Sequence, residues 1–350
     1  MEVVDPTGIP GWDERLACHP DATVFHTAAW ARVLSETYRY KPLYFTAAED
    51  DRIVALFPFM EIQSWLTGIR GVSLPFTDEC TPILSDGIDF ESAISQMIDF
   101  AASHGWRTLE FRGRVRGMDK MDAAVEYLSH VLELTEKEEV LFSRFRPNVQ
   151  RNIRKAERVG IEVENDRTLP GVREFYRLNC LTRRDHGLPP QPVLFFENLR
   201  KHILEKDLGT LLLARYRGKA IAGAVFLHFG RKAIYKYGAS DPHHQHLRAN
   251  NLVFREGIRV LCGRGIRTLC TRGFQTLSFG RTDLAHEGLR QFKLSWGARE
   301  TRLHYFRFDV RSKDWLTGQK ARVSPWEGMI SRLPIPVLRL VGSIAYRHVG

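Results

Sequence analysis

Gly105-Trp106-Arg107-Thr108-Leu109 and Gly265-Ile266-Arg267-Thr268-Leu269 are two copies of one pentapeptide, G-x-R-T-L. Each follows a stretch with helical periodicity, about Phe90 to Ser103 and about Asn250 to Gly263. Each reads as a helix stopped at glycine and followed by a strand. Upstream, Leu43 to Ala48 and Arg52 to Ile62 are strand-like runs joined across Asp50-Asp51. Leu211 to Tyr216 and Ala220 to Phe229 repeat that arrangement across Arg217-Gly218. Lys232 to Ser240 adds a third run in the second half, matched by Gly71 to Pro75 in the first, and both halves end on a strand, Tyr127 to Leu134 and His304 to Phe308. The same order twice predicts an α/β (α+β) chain of two tandem domains. Each would be a mixed, mostly antiparallel sheet flanked by helices. The expected boundaries are a first domain over 1–140, a basic linker helix over 141–165, a second domain over 166–311 and a basic amphipathic tail over 312–350.

A length of 350 residues suits two domains, and 43% hydrophobic residues suffice for packed cores. The formal charge of +10 favours an anionic partner: tRNA, a nucleotide carrier, a phosphorylated lipid or a membrane face. The five cysteines are scattered without a C-x-x-C, which argues against a disulfide framework and a zinc site. His243-His244-x-His246 lacks an acidic or cysteine partner at ligand spacing, so no metal is expected. The first residues lack the basic and apolar regions of a signal peptide, and no run is long enough to span a bilayer. A cytoplasmic protein is the expectation.

The stretch from Phe279 to Ala298 reads F-G-R-T-D-L-A-H-E-G-L-R-Q-F-K-L-S-W-G-A. On a helix from about His286, Leu289, Phe292 and Trp296 share one face, and His286, Arg290 and Lys293 form an adjoining basic stripe. This stretch resembles the signature of the Fem-like aminoacyl/acyltransferases, a branch of the GNAT superfamily with tandem domains. Phe142 to Gly160 is similar to the linker helix of those proteins, and Ser73-Leu74-Pro75-Phe76 to their S-L-P-F segment. With R-L-P-I-P in the tail, the likeness runs closest to the subgroup associated with polysaccharide and PEP-CTERM export systems.

The resemblance implies direct attack of an amine on an activated ester or thioester, with no covalent enzyme intermediate. Phe292-Lys293 matches the family's Phe-Lys pair, which makes Lys293 the expected oxyanion or leaving-group cation and Phe292 a donor contact. Gly280 and Arg281 match its Gly-Arg loop, and Arg281 would hold a phosphate or carboxylate unless Asp283 neutralises it. Tyr237, in Y-K-Y-G-A-S, falls where GNAT sheets splay to admit the donor; core packing is its other reading. Glu110 is the expected base. Asp78 and Arg112 are expected at the acceptor. Arg151, Arg154 and Arg158 would offer a phosphate-facing helix surface, or a solvated one.

Acyl-CoA enzymes of this type wrap pyrophosphate with a glycine-rich loop. Here Gln245-His246-Leu247-Arg248-Ala249-Asn250 carries Arg248 and Asn250 at its small-residue positions. The donor is therefore expected to be aminoacyl-tRNA ahead of acyl-CoA, with Arg248 contacting it, and the acceptor a peptidoglycan- or exopolysaccharide-type cell-envelope precursor, lipid-linked or free. The competing readings are an acyl-CoA-dependent N-acetyltransferase on an amino sugar and a non-catalytic RNA or membrane adaptor. The tail has two readings as well. Its apolar face, Leu338, Val341, Ile344 and Ala345, docks on the second domain, or it lies on the membrane as a peripheral contact.

Overall fold

The computed structural model describes residues 1–350 apart from 18, 51, 136–137, 264–273, 319–329 and 350. The second G-x-R-T-L pentapeptide lies outside the described residues.

The first half runs β1 (Glu2–Val4), α1 (Trp12–Ala17), α2 (Ala28–Tyr38), β2 (Lys41–Glu49), β3 (Arg52–Ser64), β4 (Gly68–Val72), β5 (Ile83–Leu84), α3 (Phe90–Ser103), β6 (Thr108–Arg112) and β7 (Val125–Glu133). α4 (Glu138–Arg144) and α5 (Pro147–Arg158) connect it to the second half. There follow β8 (Glu162–Asn165), α6 (Leu169–Asp185), α7 (Val193–Leu199), β9 (Gly209–Tyr216), β10 (Lys219–Phe229), β11 (Lys232–Ser240), α8 (Ala249–Gly263), β12 (Thr276–Asp283), α9 (Glu287–Ser295), β13 (Arg299–Asp309) and β14 (Asp314–Leu316). The tail ends in α10 (Ile335–Ala345).

The hairpins follow their turn chemistry. Arg217 and Gly218 both take positive φ, 51° and 77°, the geometry that suits a two-residue hairpin between β9 and β10. Pro147 opens α5 at a position where no amide hydrogen is needed, and Gly160 follows it at φ 77°.

Each half was expected to own a sheet. Instead all the described strands join one sheet, in the order β1-β2-β3-β4-β6-β13-β7-β12-β11-β10-β9-β8, with β5 and β14 on the side. The last strands change places. β13, from the second half, pairs with β6 of the first, Phe306 opposite Phe111, and β7, from the first half, pairs with β12 of the second, Leu132 opposite Leu277. β13 and β7 then pair with each other from Arg299↔Val131 to Tyr305↔Val125.

Alternation along the strands feeds a separate core on each face. Phe57 and Phe59 point with Phe111, Phe306 and Phe308 into a core under α3. Phe226, Leu277 and Phe279 point into a second core under α5, α8 and Trp296. On the opposite face one core serves both halves: Trp30 and Leu34 of α2, Leu56 and Met60 of β3, Phe175 of α6, and Leu213 and Val225.

α10 lies on this assembly. Leu338 is fully buried, and Gly342 passes so close to the Pro190 carbonyl that a β-carbon there would sit 1.9 Å from it. The carbonyl of Tyr346 accepts from the Tyr40 hydroxyl at 2.6 Å, and its own hydroxyl accepts from Arg183 at 2.6 Å. Arg70 donates to the His348 carbonyl at 2.8 Å. The tail is thus docked, and the apolar set expected to share one face divides: Leu338 faces the body, with Gly342 beside it, Ala345 is half-buried, and Val341 and Ile344 face solvent.

Candidate functional site

The site starts where β11 and β12 part. They pair in parallel only from Lys232↔Thr276 to Ile234↔Ser278. Beyond that point both strands are irregular. Lys236 is an extra residue in β11, since Val225 faces Tyr237 and Phe226 faces Tyr235. In β12 the register against β7 slips between Ser278 and Arg281, across Phe279-Gly280. Bulges of this kind end pairing and re-aim side chains.

A loop of the first half enters the gap. It is the stretch Leu74 to Glu79, with Phe76 at φ 59°, an uncommon conformation for a large side chain. It is held there by the rings of Tyr38, Tyr40 and Tyr346, with centroids 4.9, 6.3 and 5.3 Å away. The turn presents Asp78 to Lys236, Oδ2 to Nζ 2.8 Å. Burial works to raise the Asp78 carboxyl, but Lys236 and Arg281 overcome it and hold it below the usual carboxylate range. Gly280 adopts φ 71°, and a β-carbon there would lie 3.0 Å from Asp78 Oδ2, so the site requires glycine.

Around this pair the two halves are stitched by charge and aromatic rings. The Tyr305 hydroxyl donates to the Asp78 carbonyl at 2.6 Å and accepts from Arg281 at 3.0 Å. The Arg281 guanidinium lies over Tyr127 at 4.5 Å and Tyr305 at 5.4 Å, and Arg112 lies over Tyr305 at 5.3 Å. Lys293, 3% exposed, donates to the carbonyls of Gly280 and Arg281, both at 2.9 Å. Burial pushes its ammonium down to about 8; Asp78 opposes the fall, and Lys236 and Arg281 add to it.

Next to the gap lies a cleft of about 780 Å³. Three helix starts line it: Arg146 and Asn148 at α5, Arg248 to Asn251 at α8, and His286, Gly288 and Leu289 at α9. Helix starts carry partial positive charge and unpaired amide hydrogens. Arg248 itself has φ 64° and closes the turn before α8. Phe292 supplies apolar lining, packed edge-on against Trp296 and Phe254, each at 6.2 Å. Among the described lining residues the one carboxylate is Asp241, whose Oδ2 lies 3.3 Å from Lys219 and 3.2 Å from His244. The cleft suits an anionic ligand with an apolar portion.

The structure gathers Asp78, Gly280, Arg281 and Lys293 at the gap, with Arg112 joined to them through Tyr305, and places Phe292 and Arg248 in the cleft. The structure bears on five of the other readings. Glu110 accepts from Arg112 Nε at 2.7 Å and from Arg307 Nε at 2.9 Å. Burial works to raise its carboxyl, yet Arg112 and Arg307 hold it down to about 2, which makes it an ion-pair anchor and a poor base. Tyr237 stands among Phe195 and Phe196, centroids 5.7 and 5.6 Å away, outside the lining of the cleft. Arg151, Arg154 and Arg158 are exposed on α5, where Asn148, Val149 and Asn152, and not these arginines, line the cleft. The basic stripe on α9 is divided: His286 caps the helix, Arg290 is bound to Glu300 at 2.7 Å, and Lys293 turns inward. Arg281 bonds to Tyr305, and the alternative pairing with Asp283 does not form among the described contacts.

Lys236 and Tyr305 were missed on sequence. The signal for Lys236 was a lysine between two tyrosines in an otherwise apolar strand, which puts a charge inside a sheet and demands a partner. Asp78 is that partner, but it is supplied from the other half.

Residues 143–298 match the acetyltransferase (GNAT) domain family. The UDP-N-acetylmuramoylpentapeptide-lysine N(6)-alanyltransferase of Weissella viridescens is 24% identical over 115 residues, 32% of this chain and 34% of that protein, so the match spans about a third of the relative's length. The crystal structure of FemX superposes with a TM-score of 0.65 at 14% identity, covering 87% of this chain and 96% of that one. A tandem GNAT protein from the clavulanic acid biosynthesis pathway superposes at 0.50 with 8% identity, covering 87% and 95%. The fold is that of tandem GNAT proteins.

Proposed function

We propose, for a chain whose residues 143–298 form a GNAT acetyltransferase domain, that it transfers an aminoacyl group from aminoacyl-tRNA to an amine of a peptidoglycan- or exopolysaccharide-type precursor. The observation that carries this reading is the cleft on which three helix starts, Arg146 and Arg248 converge. Such a surface favours the 3′ end of a nucleic acid over an uncharged donor. The relative from Weissella viridescens, an alanyltransferase acting on a UDP-linked muropeptide by its name, supports the acceptor class.

In this reading the acceptor amine attacks the ester carbonyl carbon. A C–N bond forms, the ester C–O bond breaks, and the ribose hydroxyl leaves with the proton that the amine loses. Lys293 stands beside the bulge with an ammonium of three donors, two of them spent on the Gly280 and Arg281 carbonyls. In this reading the third donates to charge building on the leaving oxygen. The acceptor gives its ammonium proton to water before attack, and Asp78, held as a carboxylate, orients the resulting amine by accepting one of its N–H groups. Cys80 and Cys180 are buried, and burial pushes both thiols up, which supports direct attack over a thioester on the enzyme.

The test uses the full chain with total tRNA charged with labelled amino acids and UDP-N-acetylmuramoylpentapeptide. The expected result is label in the muropeptide, dependent on charged tRNA and lost at high salt. Transfer from labelled acetyl-CoA alone, with none from charged tRNA, overturns the donor assignment.

A further inference from the structure

α10 buries one apolar face and leaves another uncovered. Val337, Leu340, Val341 and Ile344 recur at i, i+3, i+4 and i+7, so they form one stripe, and all four are exposed, Leu340 by 62% and Ile344 by 58%. The stripe does not stop at the helix end. His348, four residues beyond Ile344, bonds to Ser64 at 3.1 Å and packs edge-on against Trp65 at 5.8 Å. Trp65 and Leu66 form the tip of the β3–β4 hairpin and are 86% and 64% exposed. Two segments far apart in sequence thus build one apolar strip. Scattered exposed apolar residues are ordinary, whereas a contiguous set of this kind marks an interaction surface.

The charge around the strip indicates what covers it. Arg332 and Arg347 are exposed at its two ends, and Arg339 lies over the Tyr176 ring, 5.1 Å from its centroid, with its surface open to water. No carboxylate follows Glu327 in the sequence, and the chain carries +10 overall. Exposed leucine and isoleucine on a helix flanked by arginine, with tryptophan at the edge, is the composition of an element that lies in a lipid interface. An anionic protein partner would need the arginines at the centre of the patch; here the centre is aliphatic. An eleven-residue helix is far too short to cross a bilayer, and no helix among the described residues is long and apolar enough to do so.

We propose that the outer face of α10 and the Trp65-Leu66 tip form a peripheral docking surface for an anionic lipid bilayer. The helix is already fixed to the body through Leu338, Gly342 and Tyr346, so contact orders no new segment. It sets the whole molecule in one orientation. On its inner side the tail touches the loop that carries Asp78, through Tyr346 and Phe76. This proposal rests on the surface alone and holds whichever acyl donor the cleft takes.

Flotation of the full chain with vesicles of phosphatidylcholine, with and without phosphatidylglycerol, tests it. The expected result is binding to the anionic vesicles at low salt, weakened by salt and by omission of phosphatidylglycerol. Leu340→Glu/Ile344→Glu should reduce partitioning at least tenfold with the melting temperature unchanged, because neither side chain packs on the body. Trp65→Ser/Leu66→Ser should also reduce it, and is independent of how the tail folds. Failure of the unaltered protein to bind anionic vesicles overturns the proposal, as does undiminished binding by both double variants. A protein that sediments as a dimer and becomes monomeric with Leu340→Glu/Ile344→Glu assigns the strip to a second copy of this chain and overturns it too.

Discussion

The two halves offer the same gap in two conditions. In the first half β4 and β6 pair in parallel from Arg70↔Thr108 to Val72↔Glu110, and in the second β11 and β12 pair from Lys232↔Thr276 to Ile234↔Ser278. Three residue pairs hold each, and then the strands part. In the first half the opening is bridged at once. Ser73 donates to the Glu110 carbonyl at 2.8 Å, Cys80 to the Arg112 carbonyl at 2.8 Å, and the Arg112 side chain to the Leu74 carbonyl at 3.2 Å. Glu110 ties Arg112 and Arg307 beneath. In the second half bulges at Lys236 and Gly280 keep the strands apart, and the cleft lies alongside. One architecture serves in one place as a structural joint and in the other as an opening. The difference lies in which side chains are charged and what they meet.

The sharpest way to break that comparison is to cut the joint. Glu110→Gln leaves the buried Arg112 and the half-buried Arg307 without this carboxylate and should destabilise the chain by about 3–5 kcal/mol at neutral pH, measured by chemical denaturation. The sign with pH follows from the depressed carboxyl. Its contribution is present above the ordinary value of 4.5 and drains away as pH falls towards about 2, so the acid limb of the unfolding curve should flatten in the variant. An unaltered acid limb would show that the joint is not made by this carboxylate.

At the opening, Lys293→Met should lower turnover by on the order of 100-fold while charged tRNA still binds, as for loss of an oxyanion donor. Lys293→Arg should recover part of the loss, since a guanidinium can still reach carbonyls. Wild-type rates in the Met variant would reduce Lys293 to a clip for the bulge.

A smaller effect separates the cleft from the linker surface. Arg248→Gln should weaken charged-tRNA binding roughly tenfold, about one charge-assisted contact, with a reduced salt slope in filter binding. Neutralising Arg151, Arg154 and Arg158 together should change the affinity less than this one substitution does, because those side chains lie off the cleft. The reverse ranking would move the donor onto the outer face of α5.

Much of the frame was legible. Hairpins announce themselves through alternation and a turn dipeptide, so β2–β3 and β9–β10 could be read directly. The helix around Phe292 and Trp296 could be read from its period, and Phe292, Lys293, Gly280 and Arg281 from their resemblance to a known signature. What could not be read was pairing between distant segments. Nothing local in Arg299 to Asp309 says that it will lie against Thr108 to Arg112 and not beside β12. The fate of Glu110 depended on that pairing, because Arg307 arrives on the exchanged strand. Direction of burial was equally hidden in α10, where apolar residues occupy both faces and the helix period cannot say which one meets protein.

The exchange of β7 and β13 has a consequence for how the molecule comes into being. β6 emerges from synthesis early and meets its neighbour β13 only when almost the whole chain has been made, while β7 waits for β12. Until then each half holds a sheet with an unpaired edge, the kind of surface that invites association with other chains. Pairings so distant in sequence make closure slow, and they link the final steps for both halves into one event. A chain interrupted before β13 would lack a strand in its first half as well as its second. The two halves follow one plan, but neither completes its sheet without the other.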